Sequence, residues 1–502
     1  MIGSTTLRNF RFVIKEGEED KVKRDEFVVV KEAVTGKAVL GVVKDILISN
    51  ELLPSEFGRD LRLADIILKE GEYPVPMVKV LGIETGDGLE IPRHGIKPGA
   101  VVELASDELL GRILRQDDDR SAYVGTLSTR ESVKIHLDVN ELVSRHCAVL
   151  AMTGAGKSYT VGVLIEELMA KKGSVVVFDL HGEFKGMEFK DSKVVVYNVE
   201  GGNNIKVDVS SLQTGDFMSL IPDLTTTQRD LLDEVIGLAD RFYDKYDLET
   251  IHKILEVLYD IKKGDKKSED AEVFPSNILK SITKKVGVST VGALMRRMRR
   301  LQRMGVFSVE GTPLREIVQR NQLTVLNLSD ADERVSDVIV AAMCRSIFDG
   351  RKRHMRGEDG SGAEVPTFIV LEEAHNFAPR AIEGTYSPSR TIIRKIAREG
   401  RKFGVGLCVI SQRPNKLDAD VLSQCNTQVI MKIVNPSDQE YIRQSVETVT
   451  EDIVRDLPSL SRGEAIIVGS AIKLPVPVKI RQRKTTVGGE DMDVVGEWKR
   501  DK

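Results

Sequence analysis

Ala148-Val149-Leu150-Ala151-Met152-Thr153-Gly154-Ala155-Gly156-Lys157-Ser158 is an apolar run that breaks into small residues and ends in Gly-Lys-Ser. A buried strand followed by a loop without bulky side chains lets backbone N–H groups curl around a triphosphate. The amphipathic run from Thr160 to Lys171 predicts a helix whose positive dipole end points at that phosphate. Lys157 is then placed to reach the outer phosphates and Ser158 to ligate Mg²⁺. Thr153, Gly154, Ala155, Gly156, Lys157, Ser158 and Tyr159 form the expected ATP-binding set. The loop departs from the usual pattern at its first position, where Ala151 stands in place of glycine. A plain glycine-rich turn is the alternative, and the strand before and helix after weigh against it.

Gly173 to Leu180 reads as a buried parallel-type strand with Asp179 at its carboxyl end. In open α/β sheets that edge is where ligands sit, so Asp179 joins the nucleotide-binding set. His181-Gly182-Glu183-Phe184 follows, either as part of the active edge or as a plain turn with a satisfied histidine. Thr367-Phe368-Ile369-Val370-Leu371-Glu372-Glu373-Ala374-His375 is a second apolar strand, ending in two acids. Glu372 is expected to order the water shell of Mg²⁺, and Glu373 to polarise the attacking water. A third strand, Gly406 to Ser411, runs into Gln412-Arg413-Pro414. Gln412 is expected at the same edge, sensing the γ-phosphate or orienting water, with a loop-capping role as the alternative.

At 502 residues the chain exceeds what one core organises, so two to four domains are expected. Hydrophobic content of 41% with 30% charge is an ordinary globular balance. Apolar runs fall short of the roughly 18 residues of a membrane span, and Met1 to Glu16 carries charges where a signal peptide needs hydrophobic residues, so a cytoplasmic protein is expected. Cys147, Cys344, Cys408 and Cys425 lack CxxC spacing and read as buried small hydrophobes. A net charge of -4 argues against a generally basic surface. Nucleic-acid contact would have to come from a local patch or from a ring that concentrates a few charges.

The pattern predicts an α/β chain in five parts. Residues 1–140 show short β-like runs with Gly and Pro punctuation, as in a small β-barrel, with a helix from Arg59 to Lys69 and a solvated acidic loop at Asp117-Asp118-Asp119. Residues 141–210 and 321–480 form two parts of one core, 211–320 an inserted helical subdomain, and 481–502 a polar tail with the lone Trp498. Within the insertion, Thr226 to Tyr246 and Leu248 to Ile261 carry helical periodicity, and Lys262 to Glu272 is a charged linker. Leu294, Met298 and Leu301 share one helix face, surrounded by Arg296, Arg297, Arg299, Arg300 and Arg303. Those arginines are a solvated or salt-bridged face, or else phosphate contacts. Glu464 to Val468 and Ile472 to Val478 read as a closing hairpin.

Taken together these motifs resemble the HerA branch of the HerA/FtsK superfamily of hexameric, RecA-like P-loop ATPases that pump DNA. The match rests on Arg145-His146, Thr153 to Ser158, Phe178 to Phe184, Glu372 to His375, Ala397 to Gly406, Ser411 to Pro414 and Gly496-Glu497-Trp498-Lys499, in family order. The resemblance implies a RecA-like core, an N-terminal HAS barrel, a homohexameric ring with ATP between neighbours, and double-stranded DNA in the channel. It carries over Arg145 and Arg401 as arginines completing the catalytic site, one across the interface and one within the subunit. An arginine finger of this kind accelerates hydrolysis by about 10³ to 10⁵. The family's partner is the NurA nuclease, the pair resecting DNA ends in double-strand break repair, and the tail braces the neighbouring subunit. A DNA translocase or helicase is therefore expected; the alternative is a pump for protein or nucleoprotein cargo related to conjugation and secretion ATPases.

Overall fold

Strands rich in Val, Ile and Leu and buried on both faces read as continuous apolar runs, which is how a parallel sheet covered on both sides is written in sequence. The computed structural model describes residues 5–50, 72–85, 88–114, 118–264, 273–358, 360, 362–381, 386–486 and 498. The expected helix Arg59 to Lys69 and most of the tail motif around Trp498 lie outside them. The chain divides into two units, Met1–Leu137 with Ile472–Arg481, and Asp138–Ala471 with Gln482–Lys502.

In the first unit the strands are Asn9–Arg11 (β1), Phe27–Lys31 (β2), Ala38–Asn50 (β3), Glu72–Glu84 (β4), Leu89–Glu90 (β5), Val102–Leu104 (β6), Ser121–Leu127 (β7) and Arg130–Asp138 (β8). One sheet runs β1-β4-β3-β2-β6, with β5 on β4. Alternating residues such as Val28, Val30, Val39, Val43 and Val78 turn inward to meet Phe10 and Phe12. The later strand Val476–Ile480 (β19) also belongs to this unit and pairs antiparallel with β7.

The second unit holds Cys147–Leu150 (β9), Ser174–Asp179 (β10), Lys193–Asn198 (β11), Gln322–Asn327 (β14), Thr367–Leu371 (β15), Val405–Ser411 (β16), Thr427–Ile430 (β17) and Glu464–Gly469 (β18). Two short strands, Val207–Asp208 (β12) and Phe307–Ser308 (β13), pair with each other apart from this sheet. The main sheet runs β11-β14-β10-β15-β16-β9-β17-β18, parallel as far as β17 and antiparallel at β18. Ala148, Leu150, Val176, Phe178, Ile369, Leu371, Leu407 and Val409 alternate onto one sheet face and enter a single core with the helices around 231–258, 335–348 and 392–397. All four cysteines are buried free thiols.

Register decides where the chemistry falls. Phe178 lies opposite Leu371, Leu371 opposite Val409, and Ser411 opposite Leu150. Asp179, Glu372, Gln412 and Ala151 therefore all emerge at the carboxyl edge of the sheet.

The helices between β12 and β13 follow the expected periodicity. Thr226–Phe242 begins with a capping box, in which Thr225 accepts from Gln228 N–H while Gln228 accepts from Thr225 N–H. In Val288–Gln302, Leu294, Met298 and Leu301 are buried on one face.

Candidate nucleotide site

The phosphate loop leaves β9 still held by the sheet. Ala151 N–H donates to Ser411 O at 3.2 Å and Met152 N–H to Lys432 O at 2.9 Å. Ala151 is fully buried and its φ is negative, so this position continues a strand and does not need glycine. The positions that do need it are Gly154, at φ 79°, and Gly156, at φ 106°, the latter serving as N-cap of the helix Lys157–Ala170. These turns leave the first N–H groups of the helix facing outward, the arrangement that receives phosphate oxygens. Tyr159 is placed differently from the rest of its set: its hydroxyl accepts from Arg483 N–H at 2.6 Å, so its ring lies against the segment after β19.

Opposite the loop stands Glu373. Its carboxylate is buried, and Oε1 lies 3.6 Å from Lys157 Nζ. The residue adopts φ 46°, a left-handed conformation costly for a side chain with a Cβ, directly after β15. Gln412 N–H donates to Glu373 Oε2 at 3.3 Å, and the Thr153 hydroxyl donates to Gln412 Oε1. Phosphate loop, acid and amide thus form one connected cluster from three parts of the chain.

His375 closes the cluster from behind. Its Nδ1 is 3.3 Å from Glu373 Oε2 and 3.1 Å from Ser411 Oγ. Burial, with help from Arg413, Lys416 and Lys157, holds its pKa down at about 4, so the ring is neutral at physiological pH. The run Glu372 to His375 carries no local signal for the contact between His375 and Glu373, which follows from the backbone turn at 373.

The other two acids are turned elsewhere. Asp179 Oδ1 and Oδ2 accept from Glu183 N–H at 3.0 Å and Phe184 N–H at 2.9 Å. Glu372 Oε2 accepts from Leu180 N–H at 2.7 Å and His181 N–H at 3.1 Å, and Oε1 lies 3.0 Å from His181 Nδ1. Burial and the neighbouring Glu372 raise Asp179 to about 6, whereas the hydrogen bond to Glu372 lifts His181 to about 9. Both oxygens of Glu372 are committed to the 180–184 turn, and among the described residues no hydrogen bond or ion pair joins Asp179 or Glu372 to Thr153–Tyr159. Glu372 thus reaches the expected edge while its carboxylate holds a loop.

Mg²⁺ fits here as an ion carried with the nucleotide. Ser158 stands in the first turn of the loop helix, and among the described residues no group of three or more His, Cys, Asp or Glu could hold a metal.

The two arginines are not brought to this edge. Arg145 caps the helix Val139–Ser144, pairs with Glu141 at 3.0 Å, and precedes β9. Arg401 is exposed in the turn Gly400–Phe403, which precedes β16. Since β9 and β16 run parallel, side by side, both arginines sit at the amino edge. At about 3.3 Å per residue, β9 alone sets Arg145 roughly 13 Å behind the phosphate loop. The expectation that one arginine completes its own subunit's site is therefore not met by this arrangement.

Residues 122–347 match the family model described as the central domain of helicase HerA. The chain is similar to a probable helicase of Methanocaldococcus jannaschii, 32% identical over all of this chain and 93% of that protein. It is also similar to the DNA double-strand break repair helicase HerA of Pyrococcus furiosus, 32% identical over 99% of this chain and 96% of the relative. Among solved structures, plasmid coupling protein TrwB with a non-hydrolysable ATP analogue shares the fold, with a TM-score of 0.51 at 13% identity over 77% of this chain and 94% of that one.

Proposed function

The chain belongs to the HerA helicase family, and from that premise and the cluster around Lys157 we propose an ATP-driven DNA helicase or translocase. Its substrate is double-stranded DNA, its working form a homohexameric ring, and its partner a NurA-like nuclease in end resection and break repair. The observation that carries the reading is the convergence of Lys157, Glu373, Gln412 and Thr153 at one sheet edge.

In this reading the N–H groups of 154–158 and the helix dipole bind the phosphates. Lys157 exchanges its contact with Glu373 for the outer phosphates, and the freed Glu373 accepts a proton from the attacking water. Gln412, bonded to both loop and acid, reports the state of the γ-phosphate to the turn that follows β16. Ser158 would hold the Mg²⁺ carried with the nucleotide, which would supply neutralisation of phosphate charge. Glu372 acts by holding the His181 turn. Arg145 and Arg401, both on the amino edge, act on a neighbour's ATP.

A pump for protein or nucleoprotein cargo is the second reading; no helix among the described residues is long and apolar enough to cross a membrane. Measuring ATP hydrolysis at low salt with and without linear duplex DNA separates the two. Stimulation by duplex DNA is expected, and a rate indifferent to DNA contradicts the DNA motor.

A further inference from the structure

His146 lies between the two arginine-bearing segments, with only 2% of its surface exposed and φ 60°. Leu407 N–H donates to its Nδ1 at 3.0 Å, and its Nε2 is 3.0 Å from Ala397 O. A backbone N–H can only donate and a carbonyl can only accept. Nδ1 is therefore bare and Nε2 carries the proton, so the neutral ring is a two-ended tie between the helix Pro388–Glu399 and β16. Burial, which pushes this imidazole down to about 4, agrees with the neutral form.

The same two residues are clamped from the other side. Arg145 O accepts from Asn426 N–H at 2.9 Å and His146 O from Thr427 N–H at 3.3 Å. The ring also packs beside Gly400, where an added Cβ would come within 2.3 Å of Val405 O and 3.3 Å of His146 Cε1. Arg145 is thus one residue before the tie and Arg401 one residue after the glycine beside the ring.

We infer that His146 is a positioning residue that joins Arg145 and Arg401 into one rigid unit, so that both guanidinium groups reach the neighbouring subunit's ATP phosphates together. This rests on the reading that the arginines act across a subunit interface. Two charged groups placed on one phosphoryl centre are effective only when their spacing is held, since errors of about 1 Å can cost 10²-fold in rate. Among the described residues no hydrogen bond joins His146 to Thr153–Tyr159, so ATP affinity is separable from the tie.

The test uses the full-length protein with His146→Leu, which removes both bonds, and His146→Gln, which keeps an amide donor and acceptor in a smaller perturbation. His146→Leu should lower kcat by about 10-fold or more and leave the KM for ATP within about twofold. Mixed with Lys157→Ala subunits, which are inactive yet carry intact arginines, it should regain activity. Arg145→Ala and Arg401→Ala run in the same mixtures as controls. If the arginine variants regain activity on mixing and His146→Leu does not, or if His146→Leu alone keeps the normal kcat, the positioning role is overturned. If the arginine variants also fail to regain activity, the trans reading fails with it. Should His146→Leu not fold, His146→Gln is judged by the same kcat, KM and mixing criteria, with a smaller loss expected.

Discussion

Lys157 Nζ and Glu373 Oε1 face each other at 3.6 Å, and both side chains are largely shielded from water. The cation of the phosphate loop and the acid after β15 are each other's counter-ions until a phosphate intervenes. A buried carboxylate paired in this way is poised to be released when its partner is taken.

Replacing Glu373 with Gln removes the proposed proton acceptor and keeps the shape. ATP binding should persist while turnover falls by about 10²-fold or more. Lys157→Ala should weaken binding itself, by roughly 10-fold or more. Titration with a fluorescent ATP analogue and phosphate release, measured on both variants, check the split; normal hydrolysis by Glu373→Gln removes the acid from its role.

Ala151 offers a sharper check on the loop. Its backbone is in the strand ladder and not in a glycine conformation. Ala151→Gly should therefore leave ATP affinity within about twofold and cost about 0.5–1 kcal/mol in stability. A large gain in affinity on introducing glycine would show that the loop was strained by alanine.

The strands are legible in sequence because β9, β10, β15 and β16 are buried on both faces, and their few polar residues, Ser174, Asp179, Thr367 and Ser411, fall at strand ends and leave the apolar run unbroken. β7 is harder to read, because Ser121, Tyr123, Gly125 and Thr126 dilute its apolar positions. Lys157, Glu373 and Gln412 could be placed together because parallel strands put their carboxyl ends on one edge. The orientation of Glu372 could not, since either acid after a strand can turn to solvent, site or loop, and here the N–H groups of Leu180 and His181 decide it. By the same rule Arg145 and Arg401, which precede the parallel strands β9 and β16, belong to the amino edge, away from the phosphate loop.

The His181–Glu372 contact makes stability pH-dependent. A histidine raised from its ordinary value to about 9 contributes stability that is complete below pH 6.5 and is lost as pH rises through 9. Because the side chain is about half exposed, the contribution is about 0.2–1 kcal/mol. Thermal midpoints at pH 6.5, 8 and 9.5 should fall for the native protein and fall less for His181→Ala.

Asp216 is fully buried and bonded to Arg345 at 2.6 and 3.2 Å, while also closing the cap of the helix Thr214–Leu220. Burial pushes its carboxyl up and Arg345 draws it back. Arg345→Met leaves that charge buried and unpaired, which should cost about 3–5 kcal/mol at pH 7.5. The loss should shrink at pH 5, where the stranded carboxyl takes up a proton. Urea midpoints at the two pH values provide the comparison, and equal losses would contradict the electrostatic account.

Hydrolysis at the Lys157–Glu373 edge is proposed to move the protein along duplex DNA. Displacement of a third strand from a linear duplex, followed with ATP, reads that movement directly. ATP-dependent displacement is expected of the native protein and none of Glu373→Gln under the same conditions. Rapid ATP hydrolysis with no displacement, or displacement that persists in Glu373→Gln, would contradict it.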